Sequence, residues 1–133
     1  VYHDNYLYVG DSLNRTLRKI TVDTGVVTTC AGLSGMYGVE DGNGSSARFF
    51  LITSLSTDGI YLYMTDYIRI RKMRISTLDV STLAGYSTGG SSYYGAADGS
   101  GNAAIFYQPN GITVAGSYLY VTDVMTNCIR KIQ

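Results

Sequence analysis

Three observations in this 133-residue sequence predict an all-β fold built from a repeated four-stranded unit. The composition suits pleated strands and tight turns: 13 Tyr and 16 Gly stand against one Pro and no Trp. Segments such as YLYVGD at 6–11 place apolar and aromatic side chains with a period of two, the period of a strand. The same phrase then returns: YLYVGDSLNRTLRKI at 6–20, YLYMTDYIRIRKM at 61–73 and YLYVTDVMTNCIRKI at 118–132. Tyr6, Tyr61 and Tyr118 stand 55 and 57 residues apart, and a period of that size marks a repeat array.

The alignment extends beyond these phrases. Ile20 to Gly32 and Met73 to Gly85 each span 12 residues, and Asp41 to Tyr61 and Asp98 to Tyr118 each span 20. The second copy lacks two residues after Asp66 and carries four extra between Gly85 and Asp98. Length changes confined to such spots mark them as loops.

Each repeat reads as four short strands. LSTDG at 55–59 and ITVAG at 112–116 are the first, and the YLY segments the second. LRKITV at 17–22 is the third, and VVTTCAG at 26–32 with DVSTLAG at 79–85 the fourth. Turn residues separate them: DG at 58–59, DSLN at 11–14 and DTG at 23–25. A glycine-rich link, LSGMYGVEDGNGSSARFF at 33–50, follows. Four hairpin-connected strands and then a longer link are the pattern of a β-propeller blade, because the link must cross from the outer edge of one blade to the inner edge of the next. Blades pack on both faces, so Leu7, Val9, Leu62, Met64, Leu119 and Val121 are expected among the least exposed side chains, with Phe49 and Phe106 anchoring the links.

YLYVTDVMTNCIRKI, VSTLAG at 80–85 and DGSGNAAIFYQPNGI at 98–112 together resemble the NHL repeat family, and the resemblance covers essentially the whole chain. It implies a closed propeller, most often of six blades. The first link departs from the pattern, with Ile52 at the usual Pro position and Ser54 at the usual Gly position. Residues 1–55 are expected to form a first repeat that starts inside its first strand, 56–112 a second, and 113–133 part of a third. Six blades at this period need roughly 330 residues, so the chain reads as about two and a half blades of a longer array.

Candidate chemistry is sparse. Asp11, Asp66 and Asp123 close the YLY strands and are read as caps on the backbone N–H groups of the following turn. Arg18 and Lys19, Arg71 and Lys72, and Arg130 and Lys131 recur in the third strand and read as structural pairs with packed stems. DGNG at 41–44 and DGSG at 98–101 lack the spaced acids of a calcium loop and read as turns in the link. His3 is the only histidine, and no catalytic motif is present, so no catalytic, metal or cofactor site is expected. Cys30 replaces Leu83 as a small core residue, and Cys128 lies two blades away from it. Asn14 in NRT and Asn43 in NGS are N-glycosylation acceptors in predicted turns. Tyr37, Tyr86, Tyr93 and Tyr94 lie on the links as possible contact residues.

Ten basic and ten acidic residues cancel, which argues against nucleic acid as a partner, and no run of 18 apolar residues spans a membrane. The function expected is that of a non-catalytic scaffold outside the cell or on its surface. Its partners would be the remaining blades of the same protein or neighbouring subunits, and glycans. Two alternatives accompany it: a fragment of a propeller lyase or hydrolase whose catalytic residues lie in other blades, and an RNA- or protein-binding domain of an intracellular regulator. Only the basic stretch RIRKMR at 69–74 favours the last.

Overall fold

The computed structural model describes residues 1–86 and 94–133. It is all-β, with three antiparallel sheets, and no α-helix occurs among the described residues. The first sheet runs β1 (Tyr2–His3), β2 (Tyr6–Asp11), β3 (Thr16–Thr21) and β4 (Val27–Gly32) in that order. The second contains β6 (Ile52–Thr57), β7 (Tyr61–Asp66), β8 (Arg69–Arg74) and β9 (Asp79–Ala84). A two-residue strand from the first link, β5 (Gly42–Asn43), pairs with the outer edge of β9 and makes this sheet five-stranded. The third consists of β10 (Pro109–Ala115), β11 (Tyr118–Asp123) and β12 (Cys128–Ile132).

The register repeats residue for residue. Leu7 pairs with Ile20, Leu62 with Met73 and Leu119 with Ile132; Asp11 pairs with Thr16, Asp66 with Arg69 and Asp123 with Cys128. Between the third and fourth strands one residue bulges out, Cys30 in the first blade and Leu83 in the second. The inner strands β6 and β10 lie side by side: Thr53 donates to the carbonyls of Pro109 and Asn110, and Ser54 and Ser56 accept the N–H groups of Ile112 and Val114. The three sheets are therefore successive blades.

Two cores lie between blades. Tyr8 and Leu17 of the first blade meet Leu62, Met64 and Met73 of the second, with Phe49 and Ile52 between them. Ile70 and Ala84 of the second meet Leu119 and Val121 of the third around Phe106. Phe49 and Phe106 are both buried, each contributing on the order of 2 kcal/mol. Cys30 belongs to the first core, and burial pushes its thiol up to about 11.

Burial differs from the sequence expectation at one pair. Leu62, Met64, Leu119 and Val121 are buried, but Leu7 and Val9 are 40% and 41% exposed. These positions face the blade that precedes their own, and no described residues lie on that side of the first blade. Tyr8, on the opposite face, is the buried residue of that strand. The same logic exposes Ile129 at 73%, although its equivalents Leu17 and Ile70 are fully buried.

Each complete blade ends in Ala-Gly with the glycine in the left-handed region, at φ 86° for Gly32 and 98° for Gly85. A side chain at Gly85 would sit 2.6 Å from the Ile68 carbonyl oxygen and 2.9 Å from the Arg69 Cα. Gly101 also has a positive φ, at 54°, with open space around it. Gly85→Ala is expected to lower stability by about 2–3 kcal/mol and Gly101→Ala by about 1 kcal/mol, measured by denaturant unfolding. Equal losses would show that backbone angle alone, and not the close approach, selects glycine at position 85.

Candidate binding face

Asp66, the last residue of β7, is wholly buried, and its Oδ1 accepts the backbone N–H groups of Phe50 at 2.8 Å and Leu51 at 2.7 Å. Its Oδ2 meets Arg71 Nη1 at 3.0 Å. Burial pushes the Asp66 carboxyl above its ordinary value, against the opposing pull of the Leu51 N–H and of Arg71. Arg71 is fully buried as well. Its Nη2 donates to the Glu40 carbonyl at 3.0 Å and to Asp41 Oδ1 at 2.9 Å, and its Nη1 to the Arg48 carbonyl at 3.1 Å. One guanidinium thus ties two separate points of the incoming link, 40–41 and 48, to its own strand.

The third blade repeats the clamp. Asp123 accepts the N–H groups of Tyr107 at 3.0 Å and Gln108 at 2.8 Å, and Arg130 reaches Asp98 at 2.7 Å and the carbonyls of Ala97 and Ile105. In the first blade Asp11 accepts the side-chain amide of Asn14 at 3.0 Å, with Arg18 3.6 Å away. Asp66 and Asp123 therefore bond the link before their own blade, not the turn after their own strand. Donors 15 or 16 residues upstream leave no local signal in the sequence. The Asp of each DGxG motif is an arginine partner. The lysines that follow the arginines turn outward, over the rings of Tyr6, Tyr61 and Tyr118.

The clamp sets the aromatic pairs of the links. Phe49 and Phe106 point inward, so the next residues, Phe50 and Tyr107, emerge at the same end of the blades. Phe50 stacks on Tyr67 with centroids 4.4 Å apart and planes at 30°. Tyr37 meets Phe50 edge-on at 5.8 Å. Tyr67 meets Tyr94 edge-on at 6.4 Å, and their hydroxyls lie 2.5 Å apart. Tyr94 lies over Tyr107 at 5.0 Å and 32°. The row Tyr37, Phe50, Tyr67, Tyr94, Tyr107 runs from the first link across to the second. Beside it, between the second and third blades, opens a cleft of about 400 Å³. Leu51, Thr53 and Pro109 line it together with Tyr67, Tyr94, Tyr107 and the amides Gln108 and Asn110.

Tyr37 and Tyr94, expected as contact residues, stand in this row. Tyr86 is half-buried at the start of the second link, and Tyr93 lies outside the described residues. Phe50, Tyr67 and Tyr107 join the row beyond the residues that the sequence marks as contacts. The signal for two of them was the doublet FF at 49–50 against FY at 106–107, in which an inward aromatic is followed by an outward one. Tyr67 follows from the shortened turn after Asp66, which places it at φ 58°. Asn14 and Asn43 are both exposed, and the Asn43 amide donates to the Thr77 carbonyl and to Asp79. In the basic stretch, Arg69 and Arg71 are buried, so it is not a cationic surface. Among the described residues no three His, Cys, Asp or Glu side chains cluster to hold a metal ion, and no helix is long and apolar enough to cross a membrane.

No protein-family model and no curated protein matches the chain. Solved structures do. A Bacteroides thetaiotaomicron protein of unknown function is 24% identical at a TM-score of 0.82, over 95% of this chain and 32% of that one. An auxiliary nutrient binding protein from the same organism is 23% identical at 0.78, over 97% and 35%. A candidate phosphatase, also from that organism, is 21% identical at 0.77, over 97% and 32%. At these identities the likeness is one of fold, and the chain spans about a third of the length of the structures it matches.

Asp66→Ala removes the partner of a buried cation and leaves two link N–H groups without an acceptor. The expected loss is about 3–5 kcal/mol. Asp11→Ala, at the half-exposed copy that holds no described link, is expected to cost under about 1 kcal/mol. Thermal unfolding of the two variants tests this, and similar losses would remove the clamp from the account.

Proposed function

We propose that the chain is a run of blades from a larger NHL-like propeller, and that it works by contact, as a non-catalytic binding scaffold outside the cell or on its surface. Residues 1–55 form its first repeat, 56–112 its second and 113–133 the opening of its third. The remaining blades of the same protein, or neighbouring subunits, cover the two free faces. Support for the assembly comes from the exposure of Leu7, Val9 and Ile129, whose equivalents are buried wherever a neighbouring blade is present. The greater length of the matching structures points the same way.

The observation that carries the binding role is the aromatic row beside a cleft at one end of the blades. The nutrient binding protein of like fold favours the same reading. Exposed Asn14 and Asn43 suit an extracellular location as glycan acceptors. A propeller hydrolase with its acids in other blades is the second reading, favoured by the fold likeness to the candidate phosphatase.

The test is thermal stability and turnover of the intact protein against a panel of peptides, oligosaccharides and phosphate monoesters. A stabilising shift from one class with no product formed is expected, because a ligand bound only by the native state raises its stability. Product from a phosphate monoester would replace the scaffold with the hydrolase. The assembly is tested at Cys128, whose equivalents Thr16 and Arg69 are buried while it is exposed here. In the intact protein Cys128 is expected to resist a maleimide until the fold is denatured. Rapid labelling would mean that no fourth strand covers β12.

A further inference from the structure

We propose that the cleft between the second and third blades binds a neutral glycan chain, with Tyr94 and Tyr107 as its stacking platform. This names the ligand class for the scaffold read above and rests on that reading.

The chemistry of the lining selects the ligand. Every described residue lining the cleft is uncharged, and Arg69, whose charge acts on Tyr67, is itself buried. A phosphate, nucleotide or acidic sugar would call for an arginine or lysine at hydrogen-bond range. The cation beside the other end of the row, Arg15, is held by the Phe50 carbonyl and lies over the Phe50 ring. An extended peptide recognised through its backbone would need a strand edge with free backbone groups. β6 and β10 are edge strands, but the Pro109 and Asn110 carbonyls and the Ile112 and Val114 N–H groups of β10 are already met by Thr53, Ser54 and Ser56 of β6. What the cleft offers is broad tyrosine faces and the donor-and-acceptor amides of exposed Gln108 and Asn110. A neutral sugar ring has that complementary pattern: C–H faces that pack on an aromatic ring, and an equator of hydroxyls that both donate and accept.

The geometry points to a chain rather than a single sugar. The rings continue past the cleft through Tyr67 and Phe50 to Tyr37, with successive centroids 4.4–6.4 Å apart. They are also held before any ligand arrives. Tyr107 follows a buried anchor and gives its N–H to Asp123, and Tyr94 shares a hydroxyl contact with Tyr67. Rings already fixed in place lose little freedom on binding.

The experiment is affinity electrophoresis of the intact protein through gels containing starch, xylan, galactomannan or polygalacturonate. Titration calorimetry then follows with oligosaccharides of the retarding polymer. Retardation by at least one of the three neutral polymers is expected. Tyr94→Ala and Tyr107→Ala should each weaken binding by roughly tenfold, while Tyr2→Ala, at an exposed ring outside the row, should not. Circular dichroism establishes that the variants are folded. The inference is overturned if no neutral polymer retards the protein, if polygalacturonate alone does so, or if Tyr94→Ala/Tyr107→Ala together leave retardation unchanged. A thermal shift from peptides with no retardation by any polymer would sink the glycan and leave the scaffold standing. No shift from any class would sink both.

Discussion

The buried pairing of Arg71 with Asp66 is the constraint on which the rest of this structure depends. Two opposite charges without solvent contact add little net stability by themselves, because their desolvation offsets their attraction. Their contribution is geometric. A guanidinium offers its donors in a rigid plane, and here the two terminal nitrogens meet the carboxylates of Asp66 and Asp41 and the backbone carbonyls of Glu40 and Arg48, tying two points of one link to β7. The remaining carboxylate oxygen takes the link's last two N–H groups. A glycine-rich segment with little core of its own is thereby held in a single path over the blade.

Blade packing depends on that path. The link must deliver Phe49 or Phe106 into the space between two sheets at the depth where the second-strand side chains meet it. Once the ring is in place, Leu62 and Met64, or Leu119 and Val121, close over it. The exposed Leu7 and Val9 show the converse. Their strand has a closely similar sequence and the same register, yet they face solvent because no described residues lie against that face. In a quasi-one-dimensional array a face is buried by its neighbour, not by its own sheet.

The binding face is a by-product of the same clamp. Anchoring one aromatic residue inward forces the following one outward, so a device that joins blades also lays rings along one end of the molecule. The turn after β7 adds Tyr67 to that row, and the second link adds Tyr94, which stands four residues before its DGxG motif as Tyr37 does in the first. Loop variation on a constant frame is how repeat folds acquire binding surfaces without altering their core.

The sequence alone determined the repeated strands of each blade and their order, although Gly42–Asn43, read there as part of a turn, is the short strand β5 paired on β9. Period-two segments, turn residues and a 55–57-residue repeat are local or self-referential signals, and three copies in register reinforce one another. It also placed Phe49 and Phe106 in the core and Tyr37 and Tyr94 on the links. Only the tertiary structure decided which face of each strand is covered, that Asp66 and Asp123 reach back to the preceding link, and that Phe50, Tyr67 and Tyr107 join the tyrosines in one row. Those features arise between residues far apart in the chain, in adjacent blades or across a link. Their partners are chosen by how the sheets stack, and stacking is a property of neighbouring repeats that no single repeat encodes.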